Sequence, residues 1–265
     1  MVHPWYLLFK ANPMVCSQQT LVYFRVIAAV FLTGNVAWAV SGLFPAWGDQ
    51  AISIGHPRYV YLTNLSSILD MLFFLCAAPV TFLQWRHPKK SPAPTGVQRV
   101  IHMLYELALT VSTLVMLMFW TAVFPKSSKF LKKHGLEMTP GMWYKNIADH
   151  LIFTVLMGLD FAFSGATMYP PHFLFIVISV LVYACVNCIS RFLHGTAVYP
   201  DINFENAYTY VLLGASLALL LFLYYIFYTV GLSKPTPKSI ADNEAQQRDP
   251  EPADIEQRTP GAEQA

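Results

Sequence analysis

The sequence is poor in charged residues. Only 12% of its 265 residues are aspartate, glutamate, lysine or arginine, whereas a soluble domain carries about a quarter. Hydrophobic residues make up 55% of the chain. The formal net charge is only +2, and no basic face interleaved with aromatic residues is present, which argues against a nucleic-acid partner. This composition predicts an integral membrane protein.

Cysteine is also scarce. The four cysteines, Cys16, Cys76, Cys185 and Cys188, are dispersed among apolar stretches, where cysteine behaves as a small hydrophobe, so no disulfide framework is expected. Cys185 and Cys188 form a C-x-x-C pair, but one such pair in an apolar helix is weak evidence for metal or redox chemistry. We therefore expect neither a cofactor nor a bound metal.

The N-terminus lacks the features of a cleaved signal peptide. Residues 1–20 contain no basic region followed by an unbroken apolar run and a small-residue cleavage site. We therefore interpret them as an N-terminal segment, and the first membrane span as the targeting signal.

Six long apolar runs dominate the rest of the chain. A membrane helix needs roughly 20 mostly apolar residues, and these runs lack the alternating polarity of barrel strands. The predicted spans are Leu21–Leu43, Tyr59–Trp85, Val100–Phe124, Trp143–Met168, Phe173–Phe192 and Ala207–Leu232. Thr139 and Pro140 are typical residues for a helix start. Arg25, near the start of the first span, is expected to extend to the headgroups. The fold class is therefore all-α, a polytopic protein with a six-helix domain over residues 21–232.

Residues 233–265 form a polar tail. This segment has five prolines, many acidic and glutamine residues, and no aromatic residue. It cannot bury a core and is predicted to be disordered. Lysines and arginines are equally numerous on the two sides of the predicted topology, so their distribution does not decide the orientation.

Two polar residues of the membrane domain are predicted to lie at one depth. Spans two and four run in the same direction, and Thr63 and His150 both fall within the first two turns of these spans. Histidine is the usual base for activating a hydroxyl nucleophile near neutral pH. Asn146 precedes His150 by four residues and could orient its ring or donate to an oxyanion. Asp149 is a weaker orienting residue, because it lies about 100° around the helix.

A purely structural role is the alternative for these residues. Most membrane threonines donate to the carbonyl four residues back, and a buried histidine commonly makes an interhelical hydrogen bond. For Thr63 or His150 taken alone, this interpretation is favoured. Asp70 and Asp160 lie deeper and are expected to hold helices together or to be protonated. His102 and Glu106 are expected to form a local helix pair on the opposite side from Thr63.

Several short motifs, in order, resemble one family. They are YLTN ending at Asn64, Phe119-Trp120, NIADH ending at His150, LMGLD ending at Asp160, and Val198-Tyr199-Pro200. Over about residues 21–228 the sequence resembles the androgen-induced and androgen-dependent multi-spanning membrane proteins and the insect rolling stone proteins. The LTN and LM-x-LD motifs and the longer loop before Tyr199 look closer to the rolling stone branch.

The resemblance implies a function. Androgen-related members are threonine hydrolases that cleave fatty acid esters of hydroxy fatty acids, and Thr63 and His150 match their two catalytic positions. Asn64, Asn146 and Asp149 are the expected supporting residues. Ile147 replaces a second histidine of the hydrolases, which puts the exact substrate in doubt more than the reaction.

The expected partners are a lipid ester from the bilayer and membrane lipids. The family implies cytosolic termini, and the expected location is the endoplasmic reticulum or the plasma membrane. The alternative function is a non-enzymatic rolling stone-like membrane organiser or cell-fusion factor.

Overall fold

The computed structural model describes residues 4–40, 61–88, 93–135, 137–194 and 207–234. Within these residues, six helices are long and apolar enough to cross a membrane. The predicted all-α, polytopic fold is therefore confirmed. Nearly all of the predicted tail, the turn at Tyr199-Pro200 and the residues just before Tyr61 lie outside the described part of the chain.

The helices follow one another with two internal irregularities. Their bounds are α1 Pro4–Leu7, α2 Gln18–Val40, α3 Leu62–Arg86, α4 Thr95–Met118, α5 Phe124–Lys133, α6 Pro140–Ile147, α7 Phe153–Phe163, α8 Phe173–His194 and α9 Ala207–Leu232. A π-helical turn, Phe119–Val123, joins α4 to α5, and a second, Ala148–Ile152, joins α6 to α7. A 3-10 turn, Pro170–His172, leads into α8. The six membrane spans are α2, α3, α4 with α5, α6 with α7, α8 and α9.

Two predicted span ends are wrong. The helix of the third span does not stop at Phe124 but continues to Lys133, and the π-helical turn Phe119–Val123 lies directly before Pro125. The fourth span ends at Phe163, five residues before the predicted Met168, and the chain then runs extended towards the 3-10 turn. The helix of this span begins at Pro140, three residues before the predicted Trp143. Thr139 is its N-cap and Pro140 its first residue, as the helix-start signal predicted, and Thr139 Oγ1 accepts the Met142 N–H at 3.3 Å.

Helix α4 is the centre of the bundle. It packs against α3, α7, α8, α9 and α1. Its residues Tyr105, Ala108 and Leu109 are fully buried. In contrast, α8 and α9 leave most of their apolar side chains on the outside of the bundle, as expected for helices that face lipid. The buried polar residues lie mainly among α2, α3, α4, α6 with α7, and the 3-10 turn before α8.

The expectation that Arg25 extends to the headgroups is wrong. Its side chain is fully buried. The guanidinium donates to both carboxylate oxygens of Asp160, at 2.7 and 2.8 Å, to Thr81 Oγ1 at 2.6 Å and to the Leu8 carbonyl at 2.9 Å. Because Asp160 lies on α7 and Thr81 on α3, the Arg25 side chain joins three spans and the N-terminal segment. These charge-assisted hydrogen bonds stabilise the buried guanidinium more than exposure at the headgroups would.

The N-terminal segment and the end of α9 meet at the same end of the bundle. The Gly165 N–H donates to the Lys10 carbonyl at 2.8 Å, and the Asn12 N–H donates to the Phe163 carbonyl at 2.6 Å. Lys234 Nζ donates to the carbonyls of Phe161, Ser164 and Ala166. The chain between α7 and α8 therefore contacts both the N-terminal segment and the residue that follows α9.

Candidate functional site

Thr63 lies in the first turn of α3 and is half-buried. Its carbonyl accepts the hydroxyl hydrogens of Ser66, at 2.8 Å, and Ser67, at 3.0 Å. The Thr63 hydroxyl has no hydrogen bond to any residue that the structure describes. This distinguishes it from Thr81, whose hydroxyl donates to the carbonyl four residues back. The same local bond is made by Thr110, Thr113 and Thr121.

His150 lies in the π-helical turn between α6 and α7 and is buried. Its ring stacks on Phe119, with centroids 3.5 Å apart and planes 5° apart. Phe119 begins the other π-helical turn, so the two irregular turns meet through this pair. His150 Nδ1 is buried and has no hydrogen-bond partner among the described residues. Aromatic stacking, rather than a hydrogen bond, therefore fixes the plane of the ring.

The predicted supporting residues Asn64 and Asp149 line one cleft. It has a volume of about 120 Å³, and its lining residues come from α2, α3, α6 and the π-helical turn that follows: Asn35, Val36, Ala39, Asn64, Ser67, Ile68, Lys145 and Asp149. Asp149 Oδ2 accepts a hydrogen bond from Lys145 Nζ at 2.6 Å. The neighbours of Thr63 and of His150 in sequence thus face the same space.

Asn146 does not have its predicted contact with His150. Its side chain is buried, and its Nδ2 donates to Met138 Sδ at 3.8 Å. The prediction assumed a regular α-helix, in which residues four apart lie on one face. Because a π-helical turn begins at Ala148, the helix is locally wider and this alignment is lost.

The two spans that carry Thr63 and His150 are offset along the bundle. Thr63 is one residue from the start of α3, whereas His150 is ten residues after Pro140. Asn64 nevertheless shares a cleft with Lys145 and Asp149. The first turn of α6 therefore extends past the first residue of α3 at this end of the bundle. The helix that carries His150 also packs against α3 through the turn Ala148–Ile152.

A second polar cluster lies at the opposite end of α4. His102 and Glu106, expected to form a local pair, are joined by His172 from the 3-10 turn. The Glu106 carboxylate lies 2.6 Å from His172 Nδ1 and accepts the backbone N–H of Tyr169. His172, which follows two prolines, was not among the residues selected from the sequence.

Asp70 makes a hydrogen bond between helices, which is one of the two roles predicted for it. Ser112 Oγ on α4 lies 2.7 Å from each Asp70 carboxylate oxygen. The Ser112 carbonyl in turn accepts the Thr154 hydroxyl at 2.9 Å. This chain of contacts joins α3, α4 and α7, which is a packing role.

No family model, curated protein or solved structure matches the chain in comparisons with known proteins. The six long apolar helices of the described residues define an integral, multi-pass membrane protein.

Proposed function

We propose that the protein is an intramembrane threonine hydrolase that cleaves lipid esters. The observation that carries this proposal is a pair of polar atoms without a hydrogen bond among the described residues, the half-buried Thr63 hydroxyl and the buried His150 Nδ1, on two elements that pack together. Other membrane threonines of this chain use their hydroxyls to bond a carbonyl. A buried polar atom without a partner, such as His150 Nδ1, is unusual in a purely structural role.

In the proposed reaction, Thr63 Oγ1 attacks the ester carbonyl carbon while His150 takes the hydroxyl proton. The tetrahedral intermediate collapses, the C–O bond to the alcohol breaks, and His150 returns the proton to the departing alcohol. Water then attacks the acyl-threonine ester with His150 again as base, which releases the acid and restores Thr63.

The proposed substrates are esters with long acyl chains, such as fatty acid esters of hydroxy fatty acids, which enter from the bilayer. The cleft combines the apolar side chains of Val36, Ala39 and Ile68 with the polar side chains of Asn64 and Asp149, a lining that suits an ester group joined to acyl chains. The proposed location is the endoplasmic reticulum or the plasma membrane, with cytosolic termini.

The first test compares Thr63→Ala with two matched variants. In isolated membranes, Thr63→Ala removes the proposed nucleophile and His150→Gln removes the proposed base. We expect each single variant to lower the rate of lipid-ester hydrolysis by about 100-fold or more. Thr63→Ser retains a hydroxyl and should keep measurable activity. Thr113→Ala removes a half-buried hydroxyl that donates only to the Leu109 carbonyl, and should leave the rate unchanged.

A fluorophosphonate probe gives a second readout. The wild-type protein should be labelled covalently, and the label should disappear in Thr63→Ala. Wild-type activity in Thr63→Ala would refute the mechanism. Absence of labelling and of hydrolysis in a folded wild-type sample would favour the membrane organiser, whose polar contacts, such as Asp70 with Ser112, only hold helices together.

A further inference from the structure

Three ionisable side chains converge at the end of α4 that carries the N-terminal segment. His102 and Glu106 lie one helical turn apart on α4, and His172 comes from the 3-10 turn before α8. Glu106 Oε2 is 2.6 Å from His172 Nδ1 and 3.8 Å from His102 Nδ1. All three side chains are at least 98% buried. Elements far apart in sequence therefore build a closed polar site.

The hydrogen bonds around this site fix the state of His102. Its Nε2 lies 2.9 Å from the Thr167 carbonyl. A carbonyl can only accept, so Nε2 carries the hydrogen and Nδ1 presents a lone pair. That Nδ1 is buried and has no hydrogen-bond partner in the described part of the chain. The atom is therefore poised as a ligand at a place where an unpaired nitrogen is otherwise costly.

Glu106 and His172 complete the donor set. Glu106 Oε1 accepts the Tyr169 backbone N–H, which orients the carboxylate and directs Oε2 towards the two rings. His172 Nδ1 lies 2.6 Å from Glu106 Oε2, and loss of the hydrogen between these two atoms would free both of them to bind a metal ion. One potential ligand atom from each of the three residues lies within 4.8 Å of the other two.

We propose that His102, Glu106 and His172 bind a divalent transition-metal ion of the zinc class. Two imidazoles and one carboxylate are a known zinc ligand set, with ligand bonds of about 2.0–2.2 Å. Ligand atoms around such an ion lie about 3.3 Å apart, between the 2.6 and 3.8 Å that separate Glu106 Oε2 from the two histidine nitrogens. The Thr167 carbonyl contacts the His102 ring, and the Tyr169 N–H contacts the Glu106 carboxylate. Such hydrogen bonds orient metal ligands in proteins.

The ion would join α4 to the chain between α7 and α8. That chain also receives a hydrogen bond from α9, since the Tyr224 hydroxyl donates to the Tyr169 carbonyl at 2.8 Å. His102 and Phe119 are seventeen residues apart, about 25 Å along the helix at 1.5 Å per residue. The metal site is therefore separate from the His150 site and independent of the proposed hydrolase, and it replaces the expectation that no metal is bound.

The test measures metal directly on the full-length protein. The chain is purified in detergent without a polyhistidine tag, dialysed against Zn²⁺, freed of excess metal, and analysed by plasma mass spectrometry. We expect about one zinc ion per chain. His102→Gln and His172→Gln should each weaken zinc affinity by at least 100-fold in competition with a chromophoric chelator, and Glu106→Gln should also weaken it. His150→Gln, which removes a buried histidine outside the cluster, should bind as the wild type does.

Cobalt provides a readout that does not depend on variants. Wild-type protein loaded with Co²⁺ should show the visible absorption of a low-coordinate nitrogen and oxygen site, and added zinc should abolish it. If the histidine variants fail to fold, wild-type stoichiometry and this spectrum decide the question. A monodisperse, helical wild-type sample that binds no zinc, or equal zinc binding by all variants, would overturn the proposal in favour of a hydrogen-bonded His–Glu–His cluster.

Discussion

At the residue scale, the buried polar side chains fall into two groups. Arg25, Asp160, Asp70 and Ser112 bond one another or the backbone and join helices. His102, His150 and His172 each retain a buried ring nitrogen without a partner among the described residues. The first group stabilises the bundle, and the second contains the atoms available for chemistry or for a ligand.

Removing one member of the Arg25–Asp160 pair should be far worse than removing both. Arg25→Met leaves the Asp160 carboxylate buried and unpaired, and should destabilise the protein by about 3–5 kcal/mol. In Arg25→Met with Asp160→Leu, no unpaired charge remains, and much of that loss should be recovered. Reversible denaturant unfolding in micelles, arranged as a double-mutant cycle, measures both values. Losses that simply add would contradict this account.

At the element scale, the two π-helical turns position the candidate catalytic histidine. Phe119 and His150 each lie within such a turn and stack face to face. The extended chain after Phe163 is the other irregular element, and it receives contacts from α1, the N-terminal segment and the end of α9. Both irregularities occur where polar groups converge, which is common for π-helical turns at functional sites.

Close packing of the chain after α7 depends on the small size of Gly165. A Cβ atom at this position would lie 3.0 Å from the Leu7 carbonyl oxygen, so Gly165→Val should force α1 away and cost about 1–3 kcal/mol. At Gly158 on α7, an added Cβ atom would have no neighbour within 4 Å. Gly158→Ala should therefore be neutral or stabilising by up to about 1 kcal/mol. Unfolding of both variants in detergent compares them. A Gly165→Val protein as stable as the wild type would show that this contact is not tight.

At the scale of the whole molecule, six spans place both ends of the membrane domain on one side. The contacts of Lys10 and Lys234 with residues 161–166 agree with this arrangement. The connection from α5 to α6 comes after an odd number of spans, and so lies on the other side.

This topology predicts which single cysteines react from each side of sealed vesicles. In a background without the native cysteines, Met14→Cys and Ser233→Cys should react with a membrane-impermeant maleimide from the same side. Glu137→Cys, in the connection between α5 and α6, should react only from the opposite side. All three positions are exposed. Labelling of Met14→Cys and Glu137→Cys from one side would contradict six spans.

The sequence by itself determined the helical class, the number of spans and the Thr139-Pro140 start of the helix in the fourth span. These features depend on local properties: the length of apolar runs, the low charge and the Thr139-Pro140 start signal. The sequence also identified Thr63 and His150 as candidate site residues, together with their neighbours Asn64 and Asp149, which line one cleft. The full extent of the third span and the end of the fourth were missed, because they depend on a π-helical turn and on contacts with the N-terminal segment.

Only the tertiary structure decided what the buried polar groups contact. Arg25 pairs with Asp160 across 135 positions of sequence, and His172 joins Glu106 across 66. Phe119, known from the sequence only as part of a short motif, stacks on His150 because two π-helical turns face each other. Such pairings depend on how helices dock and not on the pattern within each helix, so hydrophobic periodicity cannot specify them.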